Sequence, residues 1–436
     1  MKKTTLIRLP NFHLHNERQQ PPLGLLYLAA YLRERDLPVD VVDLAGIPPE
    51  DWDSMVPDNS LVYGITATSP DYGMARKMLG FLRGRNGHQA KVIIGGVHST
   101  VMPIQCVEDG FDAAVVGEGE QTLLEIVTGT PLSEVEGLAY RENGKIVVNP
   151  RRPMLPTIDH FPFPSRDFLP RENVVSTDLV TDSLPATVIT TSRGCPFRCS
   201  FCVQQIWMNR WRHRTAQSIR AELELIKRDY PEVREIRFVD DMVGLNGKHS
   251  REICEAFKGM GLSWRCHLRV GVATESLLES FKEVGCVEIS IGVESGDERI
   301  LKHNHKGWSN IPQAAALFRT AKKLGLRTRA YFIIGLPGEA PESVERTCQT
   351  IKEIEADAVN IFSFVPYPGC DVWEHPEKYD YQLLDTNLDS FWMVGKGHRF
   401  VGRTSAMDVD QLEEAYQKAW NVARESGKAN WMKGWE

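Results

Sequence analysis

The chain has 436 residues, with 51 basic and 58 acidic side chains and a net charge of −7 at neutral pH. This length allows two or three domains, each with a substantial core. The slightly negative balance provides no broad attraction for nucleic acid or anionic lipid, so neither is an expected partner. No apolar run reaches the length of a signal-peptide core or a membrane span, and nine cysteines without an export signal predict a cytoplasmic protein.

The first 120 residues alternate short apolar runs with helical patterns. The runs TTLIRL, PVDVVDL, LVYGIT, KVIIGG and DAAVVG predict five strands, and segments such as LGLLYLAAYLRER between them predict helices. Such alternation is typical of a doubly wound parallel sheet of the flavodoxin or Rossmann type. A hairpin that turns at Asn143 and Gly144 is expected to close this domain at residue 150.

Residues 151–184 predict a connector, because five prolines fall between residues 151 and 170. A second alternating series then predicts six strands, ATVITT, EIRFVD, SWRCHL, VEISIG, RAYFIIG and AVNIFSF, with helices between them. Six such units indicate a partial (β/α)6 barrel of the TIM type over residues 185–370. The remaining region, 371–436, is predicted to be small and mostly helical.

Three cysteines, Cys195, Cys199 and Cys202, follow the first strand of this second series. They are expected at the carboxyl end of a barrel strand, where barrel sites are built. Three thiolates can bind three irons of a four-iron cubane and leave the fourth iron open, whereas clusters that only carry electrons usually have four thiolates. A structural zinc site, normally built from two separated pairs, and three unrelated buried thiols are the alternatives.

The pattern C-x3-C-x2-C, with Phe201 directly before the third cysteine, resembles the signature of the radical S-adenosylmethionine enzymes. The resemblance covers about residues 185–370. It implies a [4Fe-4S] cluster on the three cysteines, whose open iron binds the amino and carboxylate groups of S-adenosylmethionine, and it implies Phe201 as a contact of that ligand. It also implies reductive cleavage of S-adenosylmethionine to methionine and a 5′-deoxyadenosyl radical, which removes a hydrogen atom from the substrate.

Other strand ends resemble the segments with which this family contacts S-adenosylmethionine. The segment RFVDD places Asp240 at the methionine amino group, and SIGVESGDERIL places Glu294 and Ser295 at the ribose hydroxyls. The segment YFIIGLPGE places Gly335 against the adenine, where a residue without a side chain lets a flat base approach the backbone. Each segment taken alone has a purely structural alternative, since a carboxylate at a strand end can also pair with a nearby arginine.

The strand ends of the first domain read TATSPDYG, GGVHST and GEGEQT, and their small residues predict a ligand of cofactor size. Together with PPLGLLYLAAYLRERDLPVDVVDL they resemble the cobalamin-binding domain of one class of radical S-adenosylmethionine enzymes. The histidine motif D-x-H-x-x-G is absent, so a cobalamin without a histidine ligand on its lower face is implied, and His98 is interpreted as a loop or packing residue. The implied contacts are Leu23, Gly24, Ser69, Pro70, Gly95, Gly96, Val97, His98, Gly117, Glu118 and Gly119.

The run QQIWMNRWRHR, residues 204–214, mixes aromatic and basic side chains just after the cysteines. Such a mixture can stack on bases and neutralise phosphates, or it can form a loop that packs over the cluster. We expect the packing role, because no basic domain accompanies the run.

The motifs together predict a radical S-adenosylmethionine enzyme, cytoplasmic and most simply a cobalamin-dependent methyltransferase that acts on an unactivated carbon of a small molecule. The alternative is a dehydratase, cyclase or rearrangement enzyme in which cobalamin serves another role or the first domain is vestigial. Expected partners are the small-molecule substrate and an electron donor, either a reductase or a protein of the flavodoxin or ferredoxin type.

Overall fold

The structure is a computed structural model that describes residues 3–12, 14, 16–87, 89–177, 184–307, 310–393 and 398–429. The chain divides into two compact units, one formed by Met1–Pro156 with His160–Ser176 and the other by Thr157–Asp159 with Thr177–Glu436. Part of the predicted connector, 178–183, lies outside the described residues. The same is true of 394–397 and 430–436 in the predicted C-terminal region.

The first unit is built on a seven-stranded sheet in the order β2-β1-β3-β4-β5-β6-β7. Its strands are β1 (Thr4–Arg8), β2 (Val39–Asp43), β3 (Val62–Thr66), β4 (Lys91–Gly95), β5 (Ala113–Val115), β6 (Leu138–Glu142) and β7 (Lys145–Val148). The first five strands are parallel and the last two form the antiparallel hairpin. The order 2-1-3-4-5 is that of flavodoxin-like sheets, so the prediction of a doubly wound domain is confirmed.

The helices of this unit cover the sheet through apolar stripes. They are α1 (Leu23–Arg33), α2 (Trp52–Met55), α3 (Tyr72–Asn86), α4 (Val97–Val101), α5 (Pro103–Glu108), α6 (Glu120–Thr128) and α7 (Arg171–Val174). In α1, Leu25, Ala29 and Leu32 follow helical spacing and pack with Leu6 and Val39 of the sheet. Because strands β1 to β5 are parallel, their carboxyl ends and the loops after them lie along one edge of the sheet.

The second unit contains six parallel strands in the order β15-β14-β13-β12-β11-β8. The six strands are β8 (Ala186–Ile189), β11 (Glu235–Phe238), β12 (Ser263–Leu268), β13 (Cys286–Glu294), β14 (Arg327–Ile334) and β15 (Ala358–Ser363). Four short strands lie outside this sheet: β9 (Ser192–Gly194), β10 (Trp211–His213), β16 (Tyr381–Leu383) and β17 (Gly402–Thr404). All six predicted strands are present. Within the described residues β8 and β15 are not paired, so the barrel is partial.

Helices on the outside of this sheet complete the second unit. They are α8 (Ala216–Asp229), α9 (Gly247–Phe257), α10 (Glu275–Glu283), α11 (Glu298–His303), α12 (Ile311–Lys323), α13 (Pro341–Glu353), α14 (Asp371–Glu374) and α15 (Val409–Glu425). Aromatic rings fill the space between sheet and helices: Phe238 stacks on Trp264 at 5.0 Å, and Phe257 of α9 and Phe281 of α10 pack against Trp264.

Two short antiparallel ribbons, β9 with β10 and β16 with β17, lie outside the six-stranded sheet. The first of them connects strand β8 to the segment that carries the three cysteines. In the part of the chain that the structure describes, no helix combines the length and apolar character that crossing a membrane would require.

Candidate active site

The three cysteines lie on a loop that the β9–β10 ribbon closes. Gly194, the last residue of β9, pairs with Trp211. The segment between them, residues 195–210, therefore begins and ends at neighbouring positions. Cys195 is buried, and Cys199 and Cys202 are half-buried. The Cys202 amide donates to the Cys199 carbonyl at 3.1 Å, which turns the chain between the last two thiols.

Two aspartates at the end of β11 hold the start of this loop. The buried Asp240 carboxylate accepts hydrogen bonds from the Thr191 amide at 2.8 Å and from the hydroxyls of Thr191 and Ser192, each at 2.6 Å. Asp241 accepts from the Gly194 amide at 3.1 Å. Burial raises the pKa of Asp240 to about 6, although these three hydrogen bonds act in the opposite direction. Its implied contact with S-adenosylmethionine stays a prediction.

The aromatic and basic run that follows the cysteines supplies the return strand β10. The Trp211 indole donates to the Met242 carbonyl at 3.1 Å, and the rings of Trp211 and His213 each lie 5.1 Å from the buried His249 ring. His249 Nε2 lies 3.0 Å from the Thr191 hydroxyl. This part of the run therefore packs the base of the cysteine loop.

An arginine that the sequence analysis did not identify reaches the cysteines from the end of β12. Arg269 donates to the Cys199 sulfur at 3.8 Å, and its guanidinium lies 4.0 Å from the centre of the Phe197 ring. A cation at this distance can balance part of the negative charge of a thiolate that binds iron. Its position just after a barrel strand was a usable signal, because barrel strand ends carry site residues.

Glu294 ends β13 in a left-handed conformation, with a φ angle of 69°, beside an irregularity in the pairing with β14. The irregularity turns its carboxylate toward Lys306, with which it forms an ion pair. The next residue, Ser295, is fully buried; its hydroxyl accepts from the Asp297 amide at 3.2 Å and contacts the Thr347 hydroxyl at 3.4 Å. Lys306 comes from a loop with no recognisable pattern, so sequence reasoning had no signal for it.

Gly335 ends β14 with a φ angle of 89°, and the ring of Phe400 occupies the space where a Cβ atom would lie. The Gly335 amide donates to the Glu339 carboxyl at 2.7 Å. Phe201, in the cysteine loop, is half-buried, and the Lys306 ammonium lies 5.8 Å from the centre of its ring. The need for a glycine at position 335 is therefore explained by its contact with Phe400, which belongs to the C-terminal region.

Asn304 connects the cysteine loop to the turn after β14. This fully buried side chain accepts from the Ser200 hydroxyl at 2.8 Å and donates to the carbonyls of Ile300 at 3.0 Å and Pro337 at 2.9 Å. The loop and the turn are thus fixed against one helix end. Sequence reasoning missed Asn304 because two of its three partners, Ser200 and Pro337, are distant in the chain.

The donor set fits an iron–sulfur cluster with three protein ligands. Within the described residues, no three His, Cys, Asp or Glu side chains converge as the ligands of a single metal ion. A cubane does not require convergence on one point, because each thiolate binds a different iron. Two half-buried thiols and one buried thiol on a loop with an arginine beside it are suited to this role.

In the first unit, the loop after β3 rests on a buried histidine. The His98 ring is fully buried and packs against the Tyr72 ring, with ring centres 3.9 Å apart and planes tilted by 32°, and its Nδ1 lies 3.1 Å from the Ser69 hydroxyl. Burial lowers the pKa of His98 to about 4, so the ring is neutral at pH 7. The Tyr72 hydroxyl donates to Asp109 at 2.6 Å. His98 supports the loop from within this unit.

The loops after β4 and β5 are connected through Thr100, whose hydroxyl donates to the Gly96 carbonyl at 2.8 Å and accepts from the Gly117 amide at 3.0 Å. Gly96 has a φ angle of 98°, and a Cβ atom there would lie 2.8 Å from the Ala67 carbonyl oxygen. Only glycine permits this approach between the loops after β3 and β4.

The remaining implied cobalamin contacts border the same strand ends. The half-buried ones are Pro70, Gly95, Gly96, Val97, Gly117, Glu118 and Gly119. Leu23 is buried at the start of α1, whereas Gly24 is exposed and a Cβ atom there would meet no atom within 4 Å. Half-open backbone at several small residues fits a large ligand that approaches the main chain, as cobalamin does.

Comparison with known proteins agrees with both units. The model of the radical SAM superfamily matches residues 189–351, and that of the B12 binding domain matches residues 16–127. An uncharacterized methyltransferase of Pyrococcus horikoshii is 35% identical over 413 residues, which cover 91% of this chain and 87% of that protein. An anaerobic magnesium-protoporphyrin IX monomethyl ester cyclase of Rubrivivax gelatinosus is 27% identical over 84% of this chain and 68% of that protein.

A solved structure has a similar fold over nearly the whole chain. The radical S-adenosylmethionine methyltransferase TsrM from Kitasatospora setae, with cobalamin and a [4Fe-4S] cluster bound, superposes with a TM-score of 0.73 over 97% of this chain and 91% of that chain, at 17% identity. The two family models, the extensive relative and the cysteine loop agree. The chain belongs to the radical S-adenosylmethionine superfamily, in the group of enzymes that carry an N-terminal B12-binding domain.

Proposed function

We propose that this protein is a cobalamin-dependent radical S-adenosylmethionine methyltransferase that acts on an unactivated carbon of a small molecule. One observation carries the proposal: three thiols on a braced loop of a partial barrel occur in the same chain as a flavodoxin-like sheet with small residues at its strand ends. The similarity to a protein described as a methyltransferase, over 91% of this chain, supports methyl transfer.

In this proposal Cys195, Cys199 and Cys202 bind the cluster, which supplies the electron that cleaves S-adenosylmethionine. The chain's own groups position both partners. Asp240 and Asp241 fix the start of the cysteine loop by accepting four hydrogen bonds, which come from the amide and hydroxyl of Thr191, the Ser192 hydroxyl and the Gly194 amide.

S-adenosylmethionine is proposed to lie along the strand ends of the second unit. Phe201, Asp240, Glu294, Ser295 and Gly335 are the proposed contacts. Glu294 is the strongest candidate for the ribose hydroxyls, because its side chain is half-buried at the end of β13 and a carboxylate can accept from both. The buried Asp240 and Ser295 are proposed to act by shaping the loops that face the ligand.

Cobalamin, when bound, supplies a methyl-transfer centre. The residues proposed to hold it are Ser69 and Pro70 after β3, Gly95 to His98 after β4, Gly117 to Gly119 after β5, and Leu23 with Gly24 at the start of α1. The loops are cross-connected through Thr100, so they offer a fixed surface. Since His98 is fully buried, we propose that it shapes this surface and does not contact the metal.

Replacement of single cysteines by alanine tests the cluster assignment. After anaerobic reconstitution, Cys195→Ala, Cys199→Ala and Cys202→Ala should each lose most of the iron that the unchanged protein binds and should form no 5′-deoxyadenosine. Cys254→Ala is the matched control, because Cys254 is half-buried on α9, outside the loop. Iron content equal to that of the control in all three variants would exclude these ligands.

The products formed from S-adenosylmethionine distinguish the proposed function from its alternative. Methyl transfer yields S-adenosylhomocysteine together with 5′-deoxyadenosine, whereas a dehydratase, cyclase or rearrangement enzyme yields only 5′-deoxyadenosine. The similarity to a cyclase over 84% of this chain makes the second outcome worth measuring. Reconstituted protein with reductant and hydroxocobalamin should give both products by liquid chromatography; the absence of S-adenosylhomocysteine would support the alternative.

The proposed partners are a small-molecule substrate and a one-electron donor of the flavodoxin or ferredoxin type, or a reductase. The proposed location is the cytoplasm. All nine cysteines are free in the structure, which agrees with a reducing compartment.

A further inference from the structure

The strands of the second unit turn alternate side chains toward the helices and into the barrel. The helix-facing residues Ile236, Phe238 and Cys266 are at most 2% exposed. Their neighbours Arg237 and His267, which point to the opposite face of the sheet, are half-buried. Part of the barrel interior is therefore open to solvent and is not a close-packed core.

A network of ion pairs fills the deeper part of this interior. Arg265 of β12 forms ion pairs with Glu235 of β11 and, at 3.5 Å, with Glu288 of β13. Glu288 also forms ion pairs with Arg327 at 3.7 Å and with Arg329 at 3.4 Å. Among these five side chains of the described residues, three guanidinium groups share two carboxylates, so their positive charges outnumber their negative charges.

Above this network lie three side chains that can donate hydrogen bonds: Arg237 of β11, His267 of β12 and Tyr331 of β14. The rings of His267 and Tyr331 stack with centres 5.7 Å apart and planes 12° apart, which places them on one face across β13. All three are half-buried. Their main chains pair within the sheet, but no side chain of the three forms a hydrogen bond or ion pair with a residue that the structure describes.

The electrostatic surroundings of Arg237 and His267 include neighbouring guanidinium groups. Burial, Arg265 and Arg329 lower the pKa of Arg237, while Tyr331 and Glu288 act in the opposite direction. Burial lowers the pKa of His267 to about 4, with Arg237 and Arg329 adding to the effect, so its ring is neutral at pH 7. A negative charge placed here would be attracted by the guanidinium groups of Arg237, Arg265 and Arg329, while burial and the Glu288 carboxylate would act against it.

The position of these groups relative to the cysteines follows from strand β12. His267 lies in β12, and Arg269 follows the end of this strand two residues later, which is at most about 7 Å along the chain. Arg269 contacts the Cys199 sulfur at 3.8 Å. His267 therefore lies deeper in the barrel than the residue that reaches the cysteine loop.

We infer that Arg237, His267 and Tyr331 form an anion-binding subsite that holds a carboxylate or phosphate-type group of the substrate. The inference rests on the proposed function for the identity of the bound molecule as substrate. It assigns the substrate's chemical class: a small molecule whose reacting carbon lies toward the cysteine loop and whose acidic group lies toward Arg237. Arg237 supplies the charge and a bidentate fork, and the neutral His267 and Tyr331 supply single donors.

Binding of two probe anions tests the subsite without any turnover. Inorganic phosphate and acetate are titrated into the full-length reconstituted protein by calorimetry at constant ionic strength, and the same is done for Arg237→Met. We expect the dissociation constant of the preferred anion to rise at least about tenfold, because a charge-assisted contact is lost. Arg228→Met is the matched control, since Arg228 lies on α8 with its side chain 71% exposed and pairs there with Asp229.

Tighter binding of phosphate than acetate would assign a phosphate-type group, and the reverse order would assign a carboxylate. If Arg237→Met does not fold, Tyr331→Phe and His267→Gln test the same subsite, each with an expected rise of about threefold or more. Unchanged affinity in all variants, or no detectable anion binding in the unchanged protein, would overturn the inference.

Formation of 5′-deoxyadenosine is measured on the same preparation. Anion binding that depends on Arg237, in a protein that cleaves no S-adenosylmethionine, would contradict the proposed function and leave the subsite standing. Cleavage without such binding would contradict the subsite alone.

Discussion

At the scale of single residues, the buried carboxyl of Glu339 sets the turn that follows β14. Its side chain is fully buried and accepts from the Gly335 amide at 2.7 Å, while its backbone carbonyl accepts from the Thr404 hydroxyl at 2.9 Å. Burial raises the pKa of Glu339 from 4.5 to about 8, against two backbone hydrogen bonds that lower it. The carboxyl group is therefore mostly protonated at pH 7.

Glutamine at position 339 should remove a pH-dependent loss of stability. Because the folded pKa of about 8 lies above the ordinary 4.5, the folded chain retains a proton that the unfolded chain releases, so the free energy of unfolding decreases as pH rises between these values. We therefore compare the free energy of unfolding of Glu339→Gln with that of the unchanged protein. Between pH 5 and pH 8 this difference should change in favour of the variant, by up to about 4 kcal/mol.

Urea unfolding at the two pH values measures this difference. Glu342→Gln, at an exposed position three residues further on, is the control and should show no such gain. Parallel pH dependence in Glu339→Gln and the unchanged protein would show that Glu339 does not hold a proton in the folded state.

At the scale of elements, the β9–β10 ribbon determines the path of the cysteine loop. Gly194 ends β9 with a φ angle of 92°, and a Cβ atom there would collide with the Arg210 carbonyl on the returning chain. Its amide donates to Asp241 at 3.1 Å. The ribbon therefore brings the two ends of the cysteine loop together next to Cys195.

Gly194→Ala should open the ribbon and release the cluster. Gly259→Ala is the matched control, since Gly259 also has a positive φ angle, 75°, but a Cβ atom there meets nothing within 4 Å. The control should lose about 1 kcal/mol of unfolding free energy through backbone strain alone. Gly194→Ala should lose at least about 2 kcal/mol more and bind less iron, because the Arg210 carbonyl must move. Equal losses in the two variants would contradict the role of the ribbon.

The long elements could be predicted from the sequence, because hydrophobic periodicity determines them. Strands β1–β5 and the six barrel strands each combine β-branched residues with turn signals, and α1 and α15 have clear helical spacing. The ribbons could not, since strands of three residues contain no measurable period.

The candidate site was predictable only in part. Cys195, Cys199 and Cys202 are close in sequence, so their spacing is visible. Arg269 and Asn304 act on the cysteine loop from 70 and 104 residues away, and only the folded sheet brings them there. The strand-end rule located Asp240 but could not name Thr191 and Ser192 as its partners.

At the scale of the whole molecule, the two units are proposed to perform separable steps. The first unit presents small residues at the ends of β3, β4 and β5, whereas the cysteine loop and its supports belong entirely to the second. A change that affects only the first unit's ligand surface should therefore leave the cleavage of S-adenosylmethionine intact.

Gly24→Leu makes such a change. Gly24 is exposed at the start of α1 with open space around its Cβ position, so leucine there should be tolerated by the fold but should obstruct cobalamin. Gly80→Leu is the control, at an equally open position on α3. Gly24→Leu should retain less cobalamin and form less S-adenosylhomocysteine, while 5′-deoxyadenosine formation persists. Cobalamin retention equal to that of Gly80→Leu would exclude Gly24 from the surface.

The most direct test of the account is to determine whether one chain binds both cofactors at once. The protein is purified anaerobically, reconstituted with iron, sulfide and hydroxocobalamin, and passed through gel filtration before its iron content and optical spectrum are measured. If one chain binds both cofactors, it should contain about four irons and about one cobalamin. A chain that retains its iron but elutes without cobalamin would contradict the two-cofactor assignment and reduce the first unit to a scaffold.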